Sequence, residues 1–465
     1  MNHLSASRFH RLFWGVVALA AVVLVASTGT AHAVPLQVFD RTSLHFWRLE
    51  NGLRVILSED HSAPVVAVNV IIRAGSRRET PENSGISHFL EHMIFRGARS
   101  GGEDTLGAAI EAVGGVVNGG TLRDFTHFSA VVPSRHLDLA LNALGEALLH
   151  PTFDPQAAVA ERLVLVREAQ QLADQPRAAI WELAFRTAYG AHPYGLPIGG
   201  SDVSLIGLDS TALTAFHHKW YVAANASIII VGDVDPEAAR SAAARVFSGW
   251  SRGATEQPAP PPLPEGPRER IEPRKVTAAS AVMGFLAAGM ARPRDVCALD
   301  LLYTILGEGY TSRLRRALVD TKLADEMNVN FLTQELPGFF GIQVTCAPQR
   351  LEEVRRALER EAVRLGAEPV PDDELARAKE RLARSYAFSN ETFEERANTL
   401  GFYEAIATYE FALDYLDQVR SLTGAEVQAA ASSYLNPRRS TWVAVVPKGG
   451  SEPADKVAFR RGYIR

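Results

Sequence analysis

His88 and His92 stand four residues apart, with Glu91 immediately before the second, in the stretch SGISHFLEHMIFRGA (84–98). The stretch has helical spacing, since Ile86, Phe89, Leu90 and Met93 fall at i, i+3, i+4 and i+7. A helix turns about 100° per residue, so the two histidines lie about 40° apart on one face and one turn apart in height. Two imidazoles so placed can share a metal ion. Glu91 sits on the adjacent edge of that face, where a carboxylate can take a proton from water without being a ligand. The order H-x-x-E-H reverses the better-known H-E-x-x-H arrangement of metal-dependent hydrolases. Zinc suits such a set, because it takes imidazole nitrogen and carboxylate oxygen in tetrahedral geometry. Catalytic sites of this kind use three protein ligands and keep the fourth position open. A partly exposed helix with two solvated histidines would read the same way, so a third ligand is needed.

That ligand should be acidic, downstream, and on a helix that can lie nearby. The stretch VAERLVLVREAQ supplies Glu161 and Glu168. Seven residues separate them, which puts them on one stripe within about 20° and about 10 Å apart along the axis. One can ligate, and the other can orient a histidine or touch substrate. A charged face on an amphipathic helix would give the same spacing. The remaining histidines offer less. His217 and His218 are adjacent and face different directions, His192 precedes Pro193 as a packed landmark, and His61 sits in a turn.

The elements that must position these residues alternate between strand and helix. LRVILSE and APVVAVNVIIRAG read as strands around a turn-like DHS, and DTLGAAIEAVGG as a helix ended by glycines. VVNGGTLRDFTHFSAVV reads as a strand or hairpin with a glycine-rich start. Two strong helices follow, the second stopped at Pro176, and ASIIIVGDV reads as a buried strand before another helix. After the proline tract SRGATEQPAPPPLPEGPRER the order repeats, with strand-like TAASAVMGFLAAG and GFFGIQVTCAP, long helices between, and STWVAVVPK as a late strand. The expected fold is α+β, with two similar layered domains, each an antiparallel or mixed sheet covered by helices. Their similar length and order hint at internal duplication. The expected division is a signal segment (1–33), an N-terminal domain (34–250), a proline-rich linker (251–270) and a C-terminal domain (271–465).

Length and composition bound the function. At 465 residues, 47% hydrophobic and 22% charged, the chain has ample core for two domains. Arg8 and Arg11, an uncharged apolar run, and Ala31-His32-Ala33 read as a secretory signal cut after Ala33. An uncleaved membrane anchor is the other reading of that run. Cleavage would move the net charge from −5 to −7. A mildly acidic chain carries no electrostatic footprint for nucleic acid. Cys297 and Cys346 are the only cysteines. Export would permit a disulfide between them, but two cysteines make no framework. The fold must rest on its core, and any metal on histidine and carboxylate.

With these residues in view, the chain resembles the pitrilysin/insulysin-type zinc peptidases, in the short two-domain subgroup that includes the mitochondrial processing peptidase. The resemblance covers nearly the whole mature chain and rests on GISHFLEHMIFRGA, VVNGGTLRDFTHF, ERLVLVREAQQLADQP, HPYGLPIGG and FHHKWYVAANASIIIVGDV, in that order. It implies zinc on His88, His92 and Glu168, Glu91 as catalytic base, and Glu161 as a further essential acid. It also implies that Asn118 and Gly119 lie on an edge strand to which an extended peptide adds, as free backbone donors and acceptors allow. Gly119 and Gly120 would let a second backbone come close, though a bulge or turn would use them equally well.

One part of the resemblance is missing. The family's C-terminal half carries an Arg and a Tyr, seven apart, that grip the substrate backbone. Here the corresponding positions read Val319 and Asp325 to Met327, and Arg315 and Arg316 come one turn too early. The complete metal set beside an incomplete C-terminal set implies a heterodimer with a zinc-less homologue, or else a homodimer. The expected activity is an exported, periplasmic zinc endopeptidase acting on unstructured peptides, with membrane contact only if the signal segment is retained. Other readings are a non-catalytic assembly subunit and a processing enzyme for one precursor peptide.

Overall fold

The computed structural model describes residues 38–97, 105–254 and 267–448. The signal segment and most of the proline tract lie outside the described residues. No helix among the described residues is long and apolar enough to cross a membrane.

The first sheet holds β1 (Leu44–Arg48), β2 (Arg54–Glu59), β3 (Val65–Ile72), β4 (Val116–Thr121), β5 (Thr126–Pro133) and β6 (Ala226–Gly232), in the order β1-β2-β6-β3-β5-β4. Helices α1 (Ile86–Arg96) and α2 (Thr105–Glu111) connect β3 to β4. Between β5 and β6 run α3 (Leu137–Leu149), α4 (Pro155–Asp174), α5 (Pro176–Tyr189), α6 (Asp202–Ile206) and α7 (Ser210–Trp220), and α8 (Pro236–Phe247) follows β6. The second sheet holds β7 (Arg268–Arg274), β8 (Ala279–Leu286), β9 (Glu326–Leu332), β10 (Phe339–Cys346) and β11 (Thr441–Pro447), in the order β7-β11-β8-β10-β9. Helix α9 (Pro293–Gly307) lies between β8 and β9. Between β10 and β11 run α10 (Leu351–Ala367), α11 (Asp372–Phe388), α12 (Phe393–Ile406), α13 (Glu410–Ser421) and α14 (Gly424–Tyr434).

The two sheets have one topology. Leaving out β1, each starts with a strand that pairs in parallel with the last strand of its half. The other pairings are antiparallel and follow the same order, and five α-helices separate the fourth strand from the fifth in both halves. This is the pattern a duplication leaves. The strands flanking DHS are not neighbours, because β6 lies between β2 and β3. β7 begins at Arg268, inside the tract read as linker.

The halves are joined by an exchange of helices. Helix α5 of the first half covers β8 and β11 of the second, where Ile180, Leu183 and Ala184 meet Val282, Val443 and Val445. Helix α12 of the second half covers β3 and β6 of the first, where Ala397 and Leu400 meet Ile71 and Ile229. Each contact contains a polar bridge near mid-sheet. Asn69 Nδ2 donates to Asn398 Oδ1 at 2.7 Å, and Trp181 Nε1 donates to Gln343 Oε1 at 2.9 Å. The central strands are therefore buried on both faces, and burial of that apolar surface is the main force holding the halves together. Pro176 does not merely stop a helix. It is the first residue of α5, where its missing N–H costs nothing.

Cys297 and Cys346 are both free and buried, so no disulfide joins them. Near Cys297, on the same helix, lies Asp300, whose carboxylate accepts from Tyr415 Oη at 2.9 Å. Burial pushes the Asp300 carboxyl up to about 7, against the Tyr415 bond. A carboxyl whose pKa is raised on folding stabilises the fold fully below its unfolded value, near 4, and loses that contribution as the pH climbs to about 7. Asp300→Asn does not titrate. Urea unfolding of both proteins should show the variant gaining about 3 kcal/mol relative to wild type between pH 5 and pH 8. A pH-independent difference would contradict this account of Asp300.

Candidate metal centre

Helix α1 presents His88, Glu91 and His92 toward α4, which carries Glu161 and Glu168. Two features fix where α1 starts. Gly85, its N-cap, has φ 94°, and Gly200 opposite has φ 73°. A Cβ on Gly85 would stand 2.8 Å from the Gly200 Cα, so both positions need glycine. Glu79 then receives the free N–H groups of the first turn. Its Oε2 accepts from Gly85 N at 2.8 Å and its Oε1 from Ser87 N at 2.9 Å. Burial pushes the Glu79 carboxyl up to about 7, while these two donors favour the charged form. An anion at the N-terminus of the helix also opposes its dipole favourably. Helix α4 is started by Asp154, which accepts from Ala157 N at 2.8 Å, with Pro155 in the first turn.

His88, His92 and Glu168 each offer one ligand atom, and these atoms lie within 4.8 Å of one another. The two Nε2 atoms are 3.2 Å apart, and His92 Nε2 is 3.7 Å from Glu168 Oε2. Ligands about 2.1 Å from a tetrahedral ion stand roughly 3.4 Å apart, so the residues present fit such an ion. On its other side His92 Nδ1 meets Glu161 Oε1 at 2.9 Å. That bond places the proton on Nδ1 and leaves the Nε2 lone pair facing His88 and Glu168. Glu161 is held in turn by Arg96, one turn beyond His92. The hydrogen bond to His92 pulls the Glu161 carboxyl down, against burial and with help from Arg96. Burial opposes charge on His92, but the Glu161 bond and the negative charges of Glu168 and Glu91 outweigh it and raise its pKa. Burial and the neighbouring His92 take His88 down to about 4.

Glu91 is buried beside this group. Burial pushes its carboxyl up, and a hydrogen bond from Thr121 Oγ1 to Oε2 at 2.6 Å acts against that shift. Thr121 belongs to β4, an edge strand of the sheet, and so ties Glu91 to that edge. Asn118 and Gly119 lie on the same strand. Asn118 Oδ1 accepts from Gly119 N at 2.9 Å, so a side chain covers that backbone donor. β4 runs through Gly119 and Gly120 in one-to-one register with β5, with no bulge. Its hairpin is anchored by Asp124, which meets Arg77 Nη1 at 2.9 Å and the Tyr194 hydroxyl. Asp124 Oδ2 also accepts from Glu335 N at 3.2 Å, which ties the hairpin to the second half.

Thr121, Arg96, Glu79 and Asp124 carry the site and were not singled out from the sequence. Arg96 is four residues past His92 on one helix, and Thr121 is two past Gly119 on one strand, so spacing could have found both. Nothing local marks Glu79, which reaches α1 from an irregular segment. The other histidines stand apart from the centre. His217 Nε2 meets Leu148 O at 2.8 Å, His192 Nδ1 accepts from Tyr194 N at 3.1 Å, and His61 lies between Asp233 and Glu59 at 2.6 and 2.8 Å. In the second half Arg315 stacks over Tyr310, centred 4.9 Å above its ring, and meets Asp320 at 3.7 Å.

Comparison with known proteins points one way. Residues 54–202, which include every residue of the centre, match the family described as insulinase (peptidase family M16). Residues 207–382 match the description peptidase M16 inactive domain. The chain is 26% identical over 458 residues to the zinc protease PqqE of Helicobacter pylori, covering 96% of this chain and all of that one. It is 27% identical over 369 residues to the uncharacterized zinc protease YmxG of Bacillus subtilis, covering 78% and 89%. Among solved structures, a protease from Helicobacter pylori superposes with a TM-score of 0.81 at 24% identity, covering 87% and 99%. An M16 inactive-domain protein from Pseudomonas fluorescens gives 0.79 at 22%, covering 88% and all of it.

Proposed function

The chain belongs to the insulinase family of peptidases, M16, and from that premise we propose that it is an exported zinc endopeptidase that cuts unstructured peptides. The observation that carries the reading is the convergence of His88, His92 and Glu168 within 4.8 Å, with Glu91 buried beside them and bonded to Thr121. His88, His92 and Glu168 would hold the zinc ion, and Glu161 would keep His92 in the ligating tautomer. A zinc ion bound there supplies a Lewis acid and makes water a nucleophile at neutral pH. Glu91 takes the proton of the attacking water and passes it to the leaving amine. Thr121 holds the acceptor oxygen of Glu91 in place for both transfers.

Substrate is read as an added strand on the free edge of β4. Gly119 N is the donor that a peptide carbonyl would claim from Asn118 Oδ1. Folded proteins cannot add a strand in this way, which favours unstructured peptides. The tetrahedral intermediate needs charge stabilisation beyond the metal. Arg315 is engaged with Tyr310 and Asp320, and the positions at which the family's Arg and Tyr are expected read Val319 and Asp325 to Met327. A zinc-less homologue would supply that pair, in the periplasm to which residues 1–33 would direct the chain.

Mixing tests the partner. Purified chain should gain peptide cleavage when the homologue is added, and Glu91→Gln chain should not. If the chain alone cleaves as fast as the mixture, the partner is not needed. The assembly-subunit reading is disfavoured by the intact ligand group, because a purely structural role does not require His88, Glu91, His92 and Glu168 together.

A further inference from the structure

We propose that His127 decides which substrate side chain can lie beside the bond presented to Glu91. The inference rests on the endopeptidase reading and deepens it.

Strand β4 has two faces. Gly119 and Thr121 look toward α1, since a Cβ on Gly119 would stand 2.5 Å from the Phe95 ring and Thr121 is bonded to Glu91. Side chains alternate along a strand, so Asn118 and Gly120 look the other way. Gly120 pairs with His127 on β5. The His127 imidazole folds over it, with Nε2 2.8 Å from where a Gly120 Cβ would be. The edge strand thus carries its neighbour's ring where its own side chain would stand.

That ring is not tied down by polar contacts. His127 Nδ1 is buried and has no hydrogen-bond partner among the described residues. The Phe125 ring lies behind it, 6.2 Å away between centroids. Burial takes the imidazole down to about 4, so it is neutral under ordinary conditions. A buried polar atom left unpaired costs stability, and glycine at 120 gives up strand propensity. Neither is needed for the fold of the hairpin, which Asp124 anchors at its turn.

A peptide added to β4 alternates in the same way. Its residue beside Gly120 that points away from α1 meets the tip of the imidazole. The ring fills that slot and leaves room for a small uncharged side chain. Without the ring, the slot opens onto Phe125 and takes an aromatic one.

The test compares cleavage profiles. Zinc-loaded wild type, His127→Ala, His127→Ser and His127→Phe are given one long unstructured peptide mixture, with the homologue present, and cut sites are read by mass spectrometry. Zinc content and unfolding midpoint certify each protein. Wild type and His127→Phe should favour small residues at one position flanking the cut. His127→Ala and His127→Ser should shift that position toward Phe by on the order of tenfold or more. Active wild type with folded variants of unchanged profile overturns the inference and leaves the endopeptidase reading standing. Zinc-loaded wild type that cuts nothing overturns both.

Discussion

Glu91→Gln should lower peptide turnover by about 10³-fold while zinc content and fold stay as in wild type. The amide keeps the size of the carboxylate, and its oxygen can still accept from Thr121, which sits 2.6 Å from Glu91 Oε2. What is lost is the ability to take a proton. General acid–base catalysis contributes typically about 10² to 10⁴-fold, and the proposed mechanism gives both transfers to one group. Burial alone would make the carboxyl a poor acceptor by holding its proton, and the Thr121 bond works against this. The check is steady-state hydrolysis beside a zinc assay on the same protein. Retained turnover at full zinc occupancy would remove Glu91 from the reaction.

The second large effect separates the two acids of α4. Glu168→Ala removes one of three ligand groups and should weaken zinc binding by more than about 100-fold, with activity lost in step. Glu161→Ala leaves all three ligands but frees His92 Nδ1 and Arg96, which Glu161 now holds. It should cost about 10 to 100-fold in zinc affinity, the usual price of removing a partner behind a ligand. Competition with a chelator of known affinity measures both. The reverse ranking would mean that Glu161 is the ligand. Restoring zinc at high concentration should recover much of the Glu161→Ala activity and little of the Glu168→Ala activity.

Much of this was legible in the sequence because helix and strand periods are fixed. The apolar spacing of Ile86, Phe89, Leu90 and Met93 sets the face of α1 that is buried, and hence the edge on which His88 and His92 emerge. The seven-residue interval between Glu161 and Glu168 puts both on one stripe of α4, and Glu161 lies behind His92 while Glu168 lies in front. The duplication was visible as two stretches of similar length and similar order of elements. What was not legible depends on partners distant in sequence. The apolar residues of α5 and α12 announce that these helices must be buried, but not that they pack on the other half's sheet. β7, with the sequence RERIEPR, has almost no apolar signal and pairs only because β11 offers it an edge. The position of His127 over Gly120 follows from cross-strand register, which a single strand does not encode. Glu79 caps α1 across an irregular segment whose path no periodicity describes.

The most direct measurement is hydrolysis of a long unstructured quenched peptide by purified residues 34–465, zinc-loaded and chelated, with and without the zinc-less homologue. Cleavage should appear with zinc, disappear with the chelator and return when zinc is restored. A folded protein carrying one zinc per chain that cuts nothing, alone or with the homologue, would contradict the endopeptidase reading.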